Sequence, residues 1–174
     1  IKEDINISHI PVILLTARDD RQSQISGYKN GADGYLSKPF EVEMLMELIR
    51  NRLKNREYTK KRYLNAGLIP TPEESTISLT DETFLIKLNS IIQENIENSN
   101  LGIQFICQEV GLGRSSLYNK LKALTGMGAN EYISKLRIEK AITLISGTDM
   151  PFSEIAEKTG FTTPSYFSTA FKQY

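Results

Sequence analysis

Two clusters of polar side chains, each spaced for one face of a helix, carry the chemistry this sequence offers. In the first, Arg114, Ser115, Tyr118, Asn119 and Lys122 surround Leu117 and Leu121, which sit four apart and share the opposite, inward face. In the second, Ser165, Ser168, Thr169 and Lys172 stand outward against an inward pair, Phe167 and Phe171. An asparagine amide pairs bidentately with adenine, an arginine fork with guanine or a phosphate, and a lysine ammonium anchors a phosphate. Short hydroxyls hold a backbone better than they read a base, so sequence discrimination is expected mainly from the first cluster. Each serine also has a plainer reading as a helix cap.

No catalytic constellation competes with these clusters. The one histidine, His9, falls in a loop before a strand, and a metal or Ser/His site needs more than one such ligand. The one cysteine, Cys107, lies among apolar residues and reads as a small core residue, so no disulfide framework or cysteine-rich zinc site is expected. The reading is therefore no enzyme, no cofactor, no metal and no small-molecule substrate. Lys plus Arg and Asp plus Glu are both 21, so any electrostatic case for nucleic acid has to be local. From Leu101 onward eight basic residues (Arg114, Lys120, Lys122, Lys135, Arg137, Lys140, Lys158, Lys172) face six acids, a net of +2 (8−6) that implies modest, salt-sensitive binding. No apolar run approaches the roughly 20 residues that span a bilayer, and Ile1-Lys2-Glu3-Asp4 is not a signal-peptide start, so a cytoplasmic location is expected.

The element that must position both clusters runs from Ala129 to Ile145. Its apolar residues (Tyr132, Ile133, Leu136, Ile138, Ala141, Ile142, Ile145) form a stripe too wide for one contact, so it is expected to pack on two sides. Asn130 would cap its start, and Ser146-Gly147-Thr148-Asp149 followed by Met150-Pro151 would stop it, with Gly147 in a left-handed conformation. The segments flanking it superimpose. Ile106 and Gly111 match Ile155 and Gly160 at an offset of 49 (155−106), while Leu117, Leu121 and Lys122 match Phe167, Phe171 and Lys172 at 50 (167−117). Each unit is a short helix, a turn with Gly then an apolar residue (Leu112, Phe161), and a second helix, which is the pattern of a helix-turn-helix. A helix opening at Thr80-Asp81-Glu82, with Thr80 as cap and Phe84, Leu85, Leu88, Ile91, Ile92 and Ile96 inward, precedes them.

From Leu79 to Tyr174 the sequence resembles the AraC/XylS family of transcriptional regulators, most closely at Arg137-Ile138-Glu139-Lys140-Ala141, Thr159-Gly160-Phe161 and Ser165 to Lys172. The resemblance implies double-stranded DNA as partner, with both second helices in successive major grooves. The family continues one helix past the residue matching Tyr174.

The first third has a different grammar. Ile10 to Ala17 is a continuous apolar run of strand length, as for a parallel strand covered on both faces. Asp19-Asp20 would cap a short helix marked by Ile25 and Tyr28 and ended at Asn30-Gly31; Gly34 to Ser37 reads as a second strand. A helix from Glu41 follows, with Val42, Leu45, Met46, Ile49 and Leu53 on one face. Its basic continuation (Lys54, Arg56, Lys60, Lys61, Arg62) reads as a solvated connector, and Asn65 to Leu79 has linker composition. With Gly31-Ala32-Asp33-Gly34-Tyr35-Leu36-Ser37-Lys38-Pro39-Phe40, this order resembles the second half of a response-regulator receiver. That likeness implies Thr16 as the phosphoryl-sensing hydroxyl, Lys38 as its ammonium partner, Tyr35 as the aromatic switch and a cis Lys38-Pro39 bond. It also implies that the chain starts too late to hold the phosphoacceptor.

The expected fold is mainly α: a partial α/β receiver of two parallel strands with helices (1–58), a connector-helix end and linker (59–79), and an all-α double helix-turn-helix domain (80–174). A homodimer through the receiver portion is expected, because the apolar face of Val12 to Leu15 would otherwise be partly uncovered. A histidine kinase region is expected upstream in a full-length hybrid chain, which an upstream sensor region would anchor in the inner membrane. The competing reading is a helical protein-interaction module without DNA binding; a phosphate-accepting receiver is the third.

Overall fold

The structure, a computed structural model, describes residues 2–17, 21–66 and 79–174, with side chains throughout except at 59–66 and 79. The described residues form β1 (Ile13–Thr16), α1 (Arg21–Lys29), β2 (Gly34–Ser37), α2 (Val42–Ala66), α3 (Leu79–Glu94), α4 (Ile103–Val110), α5 (Arg114–Thr125), α6 (Ala129–Gly147), α7 (Phe152–Lys158) and α8 (Pro164–Gln173). The mainly helical architecture, with two parallel strands first, is the expected one. Contacts divide the chain into two units: the described residues as far as Thr83 with Ala123–Gly126, and Phe84–Lys122 with Met127–Tyr174.

In the first unit β1 and β2 pair in parallel, Ile13 opposite Gly34 and Thr16 opposite Ser37. Asp33 pins the start of β1: its carboxylate accepts the Val12 N–H at 2.7 Å and pairs with Lys2 at 2.7 Å. Lys38-Pro39 is cis, and Gly31 ends the turn after α1 at φ 85°. Three expectations fail here. The apolar run yields a strand of only four residues, and with two strands in the described sheet both are edges rather than covered on both faces; Leu14 and Leu15 stay exposed, as the partly uncovered face implied. Ile25 and Tyr28 are exposed too, because α1 turns Gly27 inward, where an added Cβ would lie 2.9 Å from Leu14 Cδ1. On α2 the expected stripe is mostly in solvent: Val42, Met46 and Leu53 are exposed, and of the stripe only Leu45 and Ile49 are half-buried. The Asp19-Asp20 cap, the side chains of Lys60, Lys61 and Arg62 and the linker at 67–78 lie outside the described residues.

Helix α3 begins at Leu79, so Thr80 is inside it rather than its cap. The Thr80 hydroxyl donates to the Lys2 carbonyl at 3.2 Å, and the buried Asp81 accepts from Ser8 Oγ at 2.7 Å. Phe84, Leu85, Leu88, Ile91, Ile92 and Ile96 are all buried, as the 3.6-residue period requires.

Helix α6 runs two residues past the expected end and is about 28 Å long at 1.5 Å per residue. Gly128 is its N-cap, and the Gly128 N–H donates to the Glu131 carboxylate at 3.3 Å, leaving Asn130 in the first turn without a capping role. Gly147 stays helical rather than left-handed; the helix ends because Thr148 takes an extended backbone (φ −145°, ψ 161°), its hydroxyl and N–H still closing on the Leu144 carbonyl at 2.7 and 3.0 Å. The helix packs on two sides. Tyr132 Oη donates to Asn89 Oδ1 of α3 at 2.8 Å, while Ile138 and Ala141 join Ile155, Ala156, Phe161 and Phe167 in one apolar cluster. Ile142 is exposed, against expectation.

Candidate nucleic-acid interface

The two repeats are built alike. Helix α4 ends at Gly111 (φ 74°) and α5 follows; α7 ends at Thr159, Gly160 takes φ 71°, and α8 follows. A left-handed residue costs a Cβ-bearing side chain roughly 1–2 kcal/mol, which is why glycine marks both turns. The apolar residue after each glycine, Leu112 or Phe161, is buried.

On α5, Leu117 and Leu121 are fully buried and Arg114, Ser115, Tyr118, Asn119 and Lys122 are all exposed on the other side. Arg114 Nη2 donates to Gln104 Oε1 of α4 at 3.3 Å, which steadies the guanidinium and leaves its other donors available. On α8, Phe167 is buried, with ring centroids 5.2 Å from Phe161 and 5.6 Å from the half-buried Phe171. Ser165, Ser168, Thr169 and Lys172 are exposed together. The Thr169 hydroxyl proton is committed to the Ser165 carbonyl at 3.0 Å, so towards a ligand Thr169 is an acceptor.

The capping alternative for the serines does not hold at Ser165. Thr163 is the N-cap of α8, its hydroxyl accepting the Tyr166 N–H at 3.2 Å, and Pro164 opens the helix. Ser115 likewise lies inside α5, one residue past its start.

Counting charges along the sequence overstated the basic surface. Lys120, Lys135 and Arg137 are buried, which leaves five basic side chains against six acids on the surface from Leu101 onward. Lys120 lies over the Phe84 ring at 5.1 Å, and Lys135 sits 3.7 Å from Glu139. Helical spacing sets Lys120 beside the inward face, three residues past Leu117, but it does not place the Phe84 ring that covers it. Sequence reasoning also missed Gln104 and the exposed Tyr166, whose ring meets Phe161 edge-on at 5.7 Å.

The receiver-type residues are partly gathered. The Lys38 N–H donates to the Thr16 carbonyl at 2.7 Å, which sets the two at the same end of the strand pair, and Lys38 is exposed. Tyr35 lies opposite Leu14 and is half-buried. Among the described residues no group of three or more His, Cys, Asp or Glu could hold a metal ion, and no helix is long and apolar enough to cross a membrane.

A family described as a helix-turn-helix domain matches residues 106–174, from within α4 through α8. The C-terminal domain of AraT, a response regulator from Geobacillus stearothermophilus, is 30% identical, with a TM-score of 0.50, covering 57% of this chain and 78% of that one. A transcriptional regulator with an AraC-type DNA-binding domain from Chromobacterium violaceum is 25% identical, with a TM-score of 0.51, covering 55% and 85%. The chain belongs to the AraC-type helix-turn-helix family. In this AraC-type domain α5 and α8 are the second helices of the two modules, and both polar clusters lie on them. Histidine kinase P4 of Formosa agariphila is 41% identical over 99% of the chain, and the chain spans 13% of that relative's length.

Proposed function

We propose that this AraC-type regulator is the DNA-reading output of a two-component phosphorelay, setting α5 and α8 into successive major grooves of double-stranded DNA. The observation that carries the reading is the repeated division of each second helix. Apolar residues are buried or, at Phe171, half-buried on one side, and groups able to bond bases and phosphates are all exposed on the other. Arg114, Ser115, Tyr118 and Asn119 read or brace one box, with Lys122 on a phosphate; Ser165, Ser168, Thr169 and Lys172 hold the second. Neither set needs a cofactor or performs catalysis.

Residues 1–58 are assigned as the C-terminal half of a receiver, 59–79 as connector end and linker, and 80–174 as the DNA-binding domain. Thr16, Tyr35 and Lys38 keep the receiver's switch roles in that assignment, while Asp33, held by Lys2 and Val12, serves structure rather than phosphate chemistry. The similarity to a protein named a histidine kinase supports a kinase region upstream in the same polypeptide. Reading DNA requires the cytoplasmic compartment, and the exposed Leu14, Leu15, Val42 and Met46 favour a homodimer through the receiver portion.

The test is an anisotropy titration on duplexes selected from random-sequence DNA by the chain itself. Asn119→Ala should lose discrimination at particular base pairs of one box, costing about 1–3 kcal/mol if its contact is bidentate. Lys122→Ala should weaken all sequences alike and lower the salt slope by about one. Inserting half a helical turn between boxes spaced by one turn of about 34 Å should abolish two-box binding. If half-turn and whole-turn sites bind equally, or both variants bind like wild type, the helix pairs are a protein-interaction core instead.

A further inference from the structure

Arg137 sits in the middle of α6, within the segment that most resembles the family, yet it faces no groove. It is 9% exposed, and its guanidinium is enclosed by parts of the chain far apart in sequence. Nη2 donates to the Asn98 carbonyl at 2.7 Å, in the turn after α3. The guanidinium carbon lies 6.0 Å from the centroid of the Phe161 ring, in the turn of the second module. A Cβ added to Gly160 would stand 2.8 Å from Nη2 and 2.2 Å from the Ile96 carbonyl oxygen, so the second turn is pressed between Arg137 and the turn after α3. Burial lowers the affinity of Arg137 for its proton, partly offset by Tyr166.

An arginine is an expensive way to fill an apolar junction, since desolvating a cation outweighs what most pairings return. What it supplies is a rigid planar plate with donors along its edge, able to bind a carbonyl on one side and carry an aromatic face on another. We propose that Arg137 is a positioning residue that fixes the second module against the turn following α3 and thereby sets the spacing between the two DNA boxes without touching DNA. The inference rests on the two-groove reading above. It makes separate demands: Arg137 should govern the second box and the tolerated spacing, and should have no part in phosphate contact.

The apolar cluster of Ile138, Ala141, Ile155, Ala156, Phe161 and Phe167 does not include Arg137, so removing the guanidinium leaves the core of the second module in place. Arg137→Met keeps the stem, and Arg137→Lys keeps the charge but loses the plate. Phe161→Leu, which keeps an apolar side chain in the cluster, removes the ring face and serves as a second route. The whole chain is titrated by anisotropy against a selected two-box duplex, the same duplex with only the first box, and a series with one or two base pairs added between boxes.

For all three variants two-box affinity should fall about tenfold, because a loosened link lowers the effective concentration of the second module at its site. First-box affinity and salt slope should match wild type, and the spacing optimum should broaden. The proposal is overturned if the Arg137 variants keep the wild-type spacing profile, if first-box and two-box affinities fall in parallel, or if Arg137→Met lowers the salt slope by about one, which would make it a phosphate contact. A wild-type chain indifferent to half-turn insertions would instead sink the two-groove reading itself, a result distinct from all of these.

Discussion

Gly111 and Gly160 occupy the same place in the two repeats, with φ of 74° and 71°, and their alanine substitutions should nevertheless differ sharply. At Gly111 an added Cβ meets nothing within 4 Å, so Gly111→Ala carries only the left-handed backbone cost of roughly 1–2 kcal/mol. At Gly160 the same backbone cost applies, but the Cβ would stand 2.2 Å from the Ile96 carbonyl oxygen and 2.8 Å from Arg137 Nη2. The first of these is backbone, which cannot swing away as a flexible side chain can. Forced overpacking adds about 1–3 kcal/mol, so Gly160→Ala should cost about 2 kcal/mol more than Gly111→Ala. Urea unfolding of the whole chain followed by far-ultraviolet circular dichroism measures this. The Gly160→Ala midpoint should lie about 1 M below that of Gly111→Ala, given an unfolding slope of about 1–3 kcal/mol per molar urea. Equal midpoint shifts, or a worse Gly111→Ala, would show that the second turn is not clamped as described.

Tyr132 gives a pH signature: burial pushes its phenol from 10.0 up to about 12, with Glu139 adding to the rise. Because the folded value lies above the unfolded one, the stabilisation is complete below about pH 10 and is lost as pH rises towards 12, amounting to about 2–3 kcal/mol. Tyr132→Phe should flatten that part of the urea-midpoint profile, and parallel profiles for variant and wild type would contradict it. The exposed Val42 and Met46 lie four apart on α2, so replacing both with Lys should dissociate the proposed homodimer in sedimentation equilibrium. A wild-type chain already monomeric at micromolar concentrations, or a double variant that still dimerises, would remove the receiver-mediated dimer.

Much of the double helix-turn-helix domain was legible because the signals that build it are local. Leu117 with Leu121 and Phe167 with Phe171 lie one helical turn apart, and the glycine-then-apolar turns at Gly111-Leu112 and Gly160-Phe161 recur at a fixed offset. The burial of Leu117, Leu121 and Phe167, and the exposure of the polar clusters on α5 and α8, follow from helical periodicity alone. Helix ends were less legible: Gly128, not Asn130, caps the start of α6, and within the Ser146 to Asp149 stop it is Thr148 rather than a left-handed Gly147 that ends the helix. Several residues compete for a cap within one turn, and backbone energies separate them by only about 1 kcal/mol.

Only the tertiary structure decided which charges are surface charges and which apolar residues are core. Lys120 is buried because Phe84, distant in sequence, offers its ring, and Arg137 because the Asn98 carbonyl and Phe161 close on it from opposite directions along the chain. Leu14, Leu15, Val42 and Met46 fit a buried pattern yet stand in solvent, for the converse reason: burial needs a second surface, and two strands do not provide one. The same distinction separates Gly111 from Gly160. Their backbone torsions are set by the turn each residue sits in, which sequence specifies, while the room for a side chain is set by Ile96 and Arg137, which no local pattern places beside one turn and not the other.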